Sequence, residues 1–197
     1  MDIIQRAVGL VGEYAKAQEA HPREIKNDDG GCKVWKPPVE GSYKINADAA
    51  IFKDRTVGLG GVMRDAAGEV MGATCMHLEV ELGVDEAEAC AARHALQTAV
   101  EMGLRHIVLE SDSLKVISHL LTKKGDESSF GNVVEDILWL GCFFSSISFN
   151  HVRREGNRVA HTIAQRSKEY GCMRVWMEEV PPEAVACVIS DLALMNE

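Results

Sequence analysis

Residues 43–51 place an apolar side chain at every second position, the rhythm of a strand. In "YKINADAAI" (43–51), Ile45, Ala47, Ala49 and Ile51 fall on one face, while Asn46, Asp48 and Ala50 fall on the other. Residues 57–64 form a second strand, "RDAAGEV" (64–70) a turn carrying Asp65 and Gly68, and 69–79 a third strand. The period then changes. "VDEAEACAARHALQTAVEMG" (84–103) is an Ala-rich helix stopped by Gly103. "HIVLES" (106–111) is a short, nearly continuous apolar run, as in a strand buried on both faces. Helices follow over 112–121 and 131–144, a strand over 146–152, and a helix over 157–171. The order β-β-β-α-β-α-α-β-α predicts an α/β fold with a mixed five-stranded sheet flanked by helices. Its later strands run parallel to the first through right-handed crossovers.

The flanks read differently. Ile3, Ile4, Ala7, Val8, Val11 and Tyr14 recur at helical spacing, which predicts an amphipathic helix over residues 2–19. A linker rich in charge, Gly and Pro then runs to a boundary near Pro37–Gly41. The predicted organisation is residues 1–40 as helix and linker, 41–171 as the sheet domain, and 172–197 as an acidic tail.

Composition narrows the class. With 197 residues, 46% hydrophobic and 26% charged, the chain can bury a sizeable core as one domain with extensions. The cysteines at 32, 75, 90, 142, 172 and 187 contain no C-x-x-C. Reduced thiols in an intracellular compartment, nucleus or cytosol, are expected, not a disulfide framework or a zinc site. No apolar run is long enough to span a bilayer, so no membrane partner is expected, and the N-terminus lacks the form of a signal peptide. The formal charge of −9 by itself speaks against a strong non-specific nucleic-acid binder. A cluster of carboxylates around a metal site would itself contribute to that sign.

Three acids fall where this topology can bring them together, and each also has an ordinary structural explanation. Asp48 sits on a strand face that solvent alone could account for. Glu88 shares the apolar stripe of its helix with Ala92, Ala95 and Ala99, yet Asp85 and Glu88 also form a D-x-x-E capping box. Asp112 ends one strand and opens a helix, a natural N-cap position. Taken together they suggest more, because strand ends and the first turn of a covering helix are where α/β sheets build sites. Converging carboxylates repel one another unless a cation neutralises them, and hard oxygen donors suit Mg²⁺ or Mn²⁺. Two such ions about 4 Å apart activate water and stabilise the leaving oxygen in phosphodiester cleavage.

The segments "INADAA", "EAEACAARHAL", "VLESDSLKVI" and "HVRREGNRVAHTIA", in this order and spacing, resemble the ribonuclease H-like family. Within it they are similar to the plant subgroup related to retrotransposon reverse transcriptases, from Trp35 to Gly171. The resemblance implies cleavage of the RNA strand of RNA–DNA hybrids with two Mg²⁺ or Mn²⁺ ions. It gives Asp48 the role of bridging the ions, with Glu88 and Asp112 completing the shell and positioning the attacking water. His151 corresponds to the family's proton-moving histidine, and as a lone histidine it is equally a satisfied strand-end residue.

One position departs from the family pattern. Where it has a fourth acid, this chain has His161, a ligand that carries no negative charge when neutral and suits softer ions than Mg²⁺. His161 is a metal ligand or a helix-packing residue on sequence grounds. The substrate-binding segments are also thin. "LTKKGDESSFG" offers only Lys123 and Lys124 against Asp126 and Glu127. Arg153, Arg154 and Arg158, near His151, can hold phosphates or form an ordinary solvated loop. Asn46, on the face of Asp48, is a further candidate for contact with nucleic acid. The leading expectation is a metal-dependent nuclease for RNA–DNA hybrids, weakened by His161. The alternative is a catalytically impaired module of the same fold that binds nucleic acid or a protein partner. A 3′–5′ exonuclease is disfavoured, because Ala50 stands where such enzymes need an acid.

Overall fold

The computed structural model describes residues 34–123 and 127–195. The predicted N-terminal helix and most of its linker lie outside the described residues, as do Lys124 and Asp126. Strands β1 (Tyr43–Ile51), β2 (Val57–Arg64) and β3 (Val70–Leu78) form an antiparallel meander. Helix α1 (Val84–Glu101) leads to β4 (His106–Ser111), which lies parallel to β1. Helices α2 (Leu114–Thr122) and α3 (Ser129–Leu140) precede β5 (Ser146–His151), parallel to β4, and α4 (Arg158–Arg166) follows.

The sheet has six strands, in the order β5-β4-β1-β2-β3-β6, one more than the five expected. The sixth comes from the stretch read as an acidic tail. Residues Met173–Met177 pair antiparallel with β3 as β6, and Pro182–Met195 form helix α5. Three of the acids that suggested a tail, Glu178, Glu179 and Glu183, sit between β6 and the first turn of α5, while "MRVWM" just before them has strand-forming Val and Trp. Net charge reports composition, and the strand signal lies in five residues that the average obscured.

Two adjacent glycines admit helices to both faces of β2. A Cβ on Gly61 would lie 2.7 Å from the Ala95 Cβ of α1, and a Cβ on Gly60 would lie 2.4 Å from the Ala164 backbone nitrogen of α4. Side chains in a strand alternate between faces, so the absence of two consecutive Cβ atoms lets α1 and α4 press on the sheet from opposite sides. The α1 side buries Ile45, Ala47, Leu59, Leu109 and Leu120 with the alanines of the helix. The α4 side buries Val62, Ala73, Val159, Ala160, Ile163 and Ala184.

Burial on the α1 side includes the titratable imidazole of His94, which is 7% exposed and has its Nε2 2.8 Å from Thr74 Oγ1. Desolvation lowers its pKa from 6.5 to about 4. The unfolded chain therefore binds a proton there more readily than the folded one, so this part of stability is present above pH 6.5 and lost as pH falls toward 4. The expected loss is about 2–3 kcal/mol. His94→Leu should flatten that part of the acid limb in denaturant titrations between pH 7 and 4. An unchanged limb would show that the histidine is protonated in the fold at little cost.

Candidate metal centre

β1 and β4 place two of the acids side by side. Their parallel register sets Asn46 opposite Glu110, so two residues further along both strands Asp48 and Asp112 lie together at the strand ends. Helix α1 brings Glu88 across the same end. One carboxylate oxygen from each of Asp48, Glu88 and Asp112 lies within 4.8 Å of the others.

The ordinary explanations for these acids fail in the structure. Asp48 is 2% exposed, so its strand face is not solvated. Helix α1 begins after Gly83 with no side-chain cap, and Asp85 instead accepts from Lys115 Nζ at 2.7 Å. The capping box does not form, which leaves Glu88 facing inward. Helix α2 is capped by Ser113, whose hydroxyl accepts from the Val116 amide at 3.4 Å, and Asp112 is released from that task.

The electrostatics are those of a cluster compensated only in part, by His161 at Asp48 and by the exposed Arg154 at Asp112. Glu88 Oε2 is buried and has no hydrogen-bond partner. Burial, and then the negative charges of Asp48 and Asp112, push the Glu88 carboxyl up to about 9. Burial also raises Asp48, opposed by its hydrogen bond with His161 and reinforced by Asp112. An orphaned buried oxygen among three converging carboxylates suits a hard divalent cation such as Mg²⁺ or Mn²⁺, which would supply the charge the protein lacks.

His161 lies one turn into α4, brought beside β1 by the close packing over Gly60, the direct cross-strand partner of Asp48. Its Nδ1 is 2.5 Å from Asp48 Oδ2, and its Nε2 is 3.0 Å from the Gln165 side-chain nitrogen. The hydrogen bond to Asp48 raises the imidazole pKa. His161 stands here as the hydrogen-bond partner of Asp48, with both ring nitrogens engaged.

The remaining candidates separate into two groups. His151 is half-buried at the end of β5, its Nε2 3.2 Å from the Asp112 backbone oxygen. Arg154 reaches toward Asp112 with 3.5 Å between Nε and Oδ2, and Arg153 is exposed beside it. Asn46 does not line an open groove. It is fully buried, accepts from Trp35 Nε1 at 2.9 Å and Arg64 at 3.1 Å, and donates to Glu110 at 3.1 Å. The period-two pattern placed it on Asp48's face correctly, but Trp35 and Arg64 cover that face. Arg158 is engaged outside the three-acid cluster, donating to Ser190 and Asp191 of α5. The network Trp35–Asn46–Arg64–Asp191–Arg158 was missed from sequence. Its signals were Arg64 at the end of an apolar strand and Asp191 inside the apolar pattern of α5.

A mixed sheet with helices on both faces and acids gathered at the ends of β1 and β4 defines a ribonuclease H-like fold. Solved structures agree. Ribonuclease H1 of Halobacterium salinarum superposes with a TM-score of 0.61 at 20% identity, covering 66% of this chain and 99% of that one. The N-terminal ribonuclease H domain of a Mycobacterium tuberculosis protein gives 0.60 at 20% identity, covering 66% and 94%. LC11 ribonuclease H1, solved in complex with an RNA/DNA hybrid, gives 0.58 at 18% identity, covering 65% and 97%. At the level of sequence, residues 46–167 match the family model described as reverse transcriptase-like, and the chain belongs to that family. A search of curated proteins returned no match.

Proposed function

We propose that the chain is a divalent-metal-dependent endonuclease that hydrolyses the RNA strand of RNA–DNA hybrids. The observation that carries this reading is the meeting of Asp48, Glu88 and Asp112 within 4.8 Å, with a buried Glu88 oxygen lacking a partner. Mg²⁺ or Mn²⁺ bound there would activate water and offset the charge that develops on the phosphate. The chain's own residues supply the rest. Asp48, held by β1, and Asp112, held at the end of β4, fix two donors on a rigid frame, and α1 adds Glu88 from the side. Arg154, 75% exposed and loosely placed beside Asp112, is free to turn to a phosphate oxygen of a docked strand. His151, half-buried at the rim, is placed to take or return a proton.

The test is to incubate the purified chain with labelled RNA–DNA hybrid, RNA duplex and DNA duplex in Mg²⁺, in Mn²⁺ and in EDTA. RNA-strand cleavage of the hybrid alone, dependent on metal and absent in Asp112→Asn, is the expected result. Cleavage that survives Asp112→Asn would come from a contaminant.

One observation favours a second reading, in which the fold is kept and cleavage is weak or absent. The imidazole of His161 occupies Asp48 Oδ2 at 2.5 Å, and where the family pattern has a negative charge it offers a group whose pKa is raised. Hybrid binding without cleavage in either metal would support such a module. His161→Asp separates the two. If the missing charge limits the rate, Mg²⁺-supported cleavage should rise about tenfold or more. An unchanged rate would remove that explanation.

A further inference from the structure

Strand β6 closes one side of the sheet, and among the described residues no strand pairs with its outer edge. The Cys172 carbonyl accepts from the His77 amide, and the Glu178 amide donates to the Met71 carbonyl. In an antiparallel ladder, the backbone groups of alternate residues point to opposite sides. Residues 172, 174, 176 and 178 therefore face β3, and the N–H and C=O groups of Met173, Val175 and Met177 face outward. Their side chains are also uncovered: Met173 is 44% exposed, Val175 39% and Met177 60%. The opposite edge, β5, presents Ser146, Ser148 and Asn150 as its exposed side chains. An apolar edge without lysine, proline or bulge is a template for strand addition.

The five residues "MRVWM" are symmetric in character about Val175. In an antiparallel pair of two such strands centred on Val175, Met173 lies opposite Met177 of the other copy, and Val175 opposite itself. These are the outward-facing residues, so each pair exchanges both backbone hydrogen bonds. Arg174 of one copy lies opposite Trp176 of the other, in the closer, non-hydrogen-bonded spacing that suits a cation over an aromatic ring. Trp176 is already held in an edge-to-face pair with Tyr170, at 5.0 Å between centroids. In the same register Glu178 falls opposite Cys172 and Glu179 opposite Gly171, so no carboxylates meet despite the net charge of −9.

We propose that β6 is a self-pairing edge that joins two copies of this chain about Val175 into one continuous sheet. A ladder of five residues is smaller than an obligate interface, so the dimer is concentration-dependent. The test uses the full chain in sedimentation equilibrium from low micromolar to several hundred micromolar. The expected result is a mass that rises from monomer toward twice that value. Met173→Lys with Met177→Lys places like charges opposite one another, and should weaken the dimer by about tenfold or more while leaving the β3-facing bonds intact. Val175→Cys in a Cys172→Ser background should form a 175–175 disulfide on mild oxidation, found by peptide mapping, because hydrogen-bonded pairs hold Cα atoms about 5.5 Å apart. A chain that stays monomeric throughout, or a dimer insensitive to the lysines that yields no 175–175 link, would overturn the proposal.

Discussion

Asp48→Asn is expected to abolish hybrid cleavage, by at least about a hundredfold, while leaving the fold intact. Asparagine has the volume of aspartate, and its carbonyl oxygen can still accept from His161 Nδ1, so the packing of α4 on β2 has no reason to change. What disappears is the carboxylate that faces both Glu88 and Asp112. If several kcal/mol of charge stabilisation depend on that anion, each 1.4 kcal/mol lost is a factor of ten in rate. The same variant has a second readout that needs no substrate. Saturating Mg²⁺ or Mn²⁺ should raise the wild-type melting temperature by about 5 °C or more, since a ligand at a hundred times its Kd adds about 2.7 kcal/mol. In Asp48→Asn that rise should vanish. A variant that keeps both the metal-induced rise and the cleavage would remove Asp48 from the centre and the nuclease reading with it.

How much of this was legible beforehand depends on which interactions carry each feature. The strands β1 to β5 and the helices between them were readable because alternation, a continuous apolar run or a helical stripe records directly which faces each element buries. The three carboxylates were readable as candidates, because strand ends and the start of a covering helix are where an α/β sheet gathers side chains into a site. Their freedom from structural work was not. Whether Glu88 caps its helix depends on the partner Asp85 takes, and that partner is Lys115, thirty residues away. Asn46 shows the opposite failure. Period two fixes a face and says nothing of what covers it. Here Trp35 and an arginine from the next strand fill the space, and an amide suited to a groove becomes a buried junction. His161 lies between these cases. The sequence shows a histidine where the family pattern has an acid, and only the contact made possible by Gly60 shows that it faces Asp48.

Asp191→Ala should be among the most damaging changes outside the centre, at about 3–5 kcal/mol of stability. Asp191 is 1% exposed and lies on α5, in the stretch whose composition suggested a tail. Its Oδ2 accepts from Arg64 at 2.8 Å and its Oδ1 from Arg158 at 3.2 Å. Arg64, itself 1% exposed, also donates to Asn46 and stacks over Trp35 at 3.6 Å from the ring centroid. Removing the carboxylate leaves a guanidinium buried without its counter-charge, which is far less favourable than exposing either group in the unfolded chain. The consequence reaches the centre, because Arg158 opens α4 and His161 lies less than one turn further along it. Asp191→Glu, which keeps the charge, should restore much of the loss, and the double change Arg64→Met with Asp191→Leu should lose less than Asp191→Ala alone. Denaturant unfolding of these variants decides the matter. If Asp191→Ala unfolds within 1 kcal/mol of wild type, α5 is an appendage and the link from the C-terminal helix to the metal centre fails.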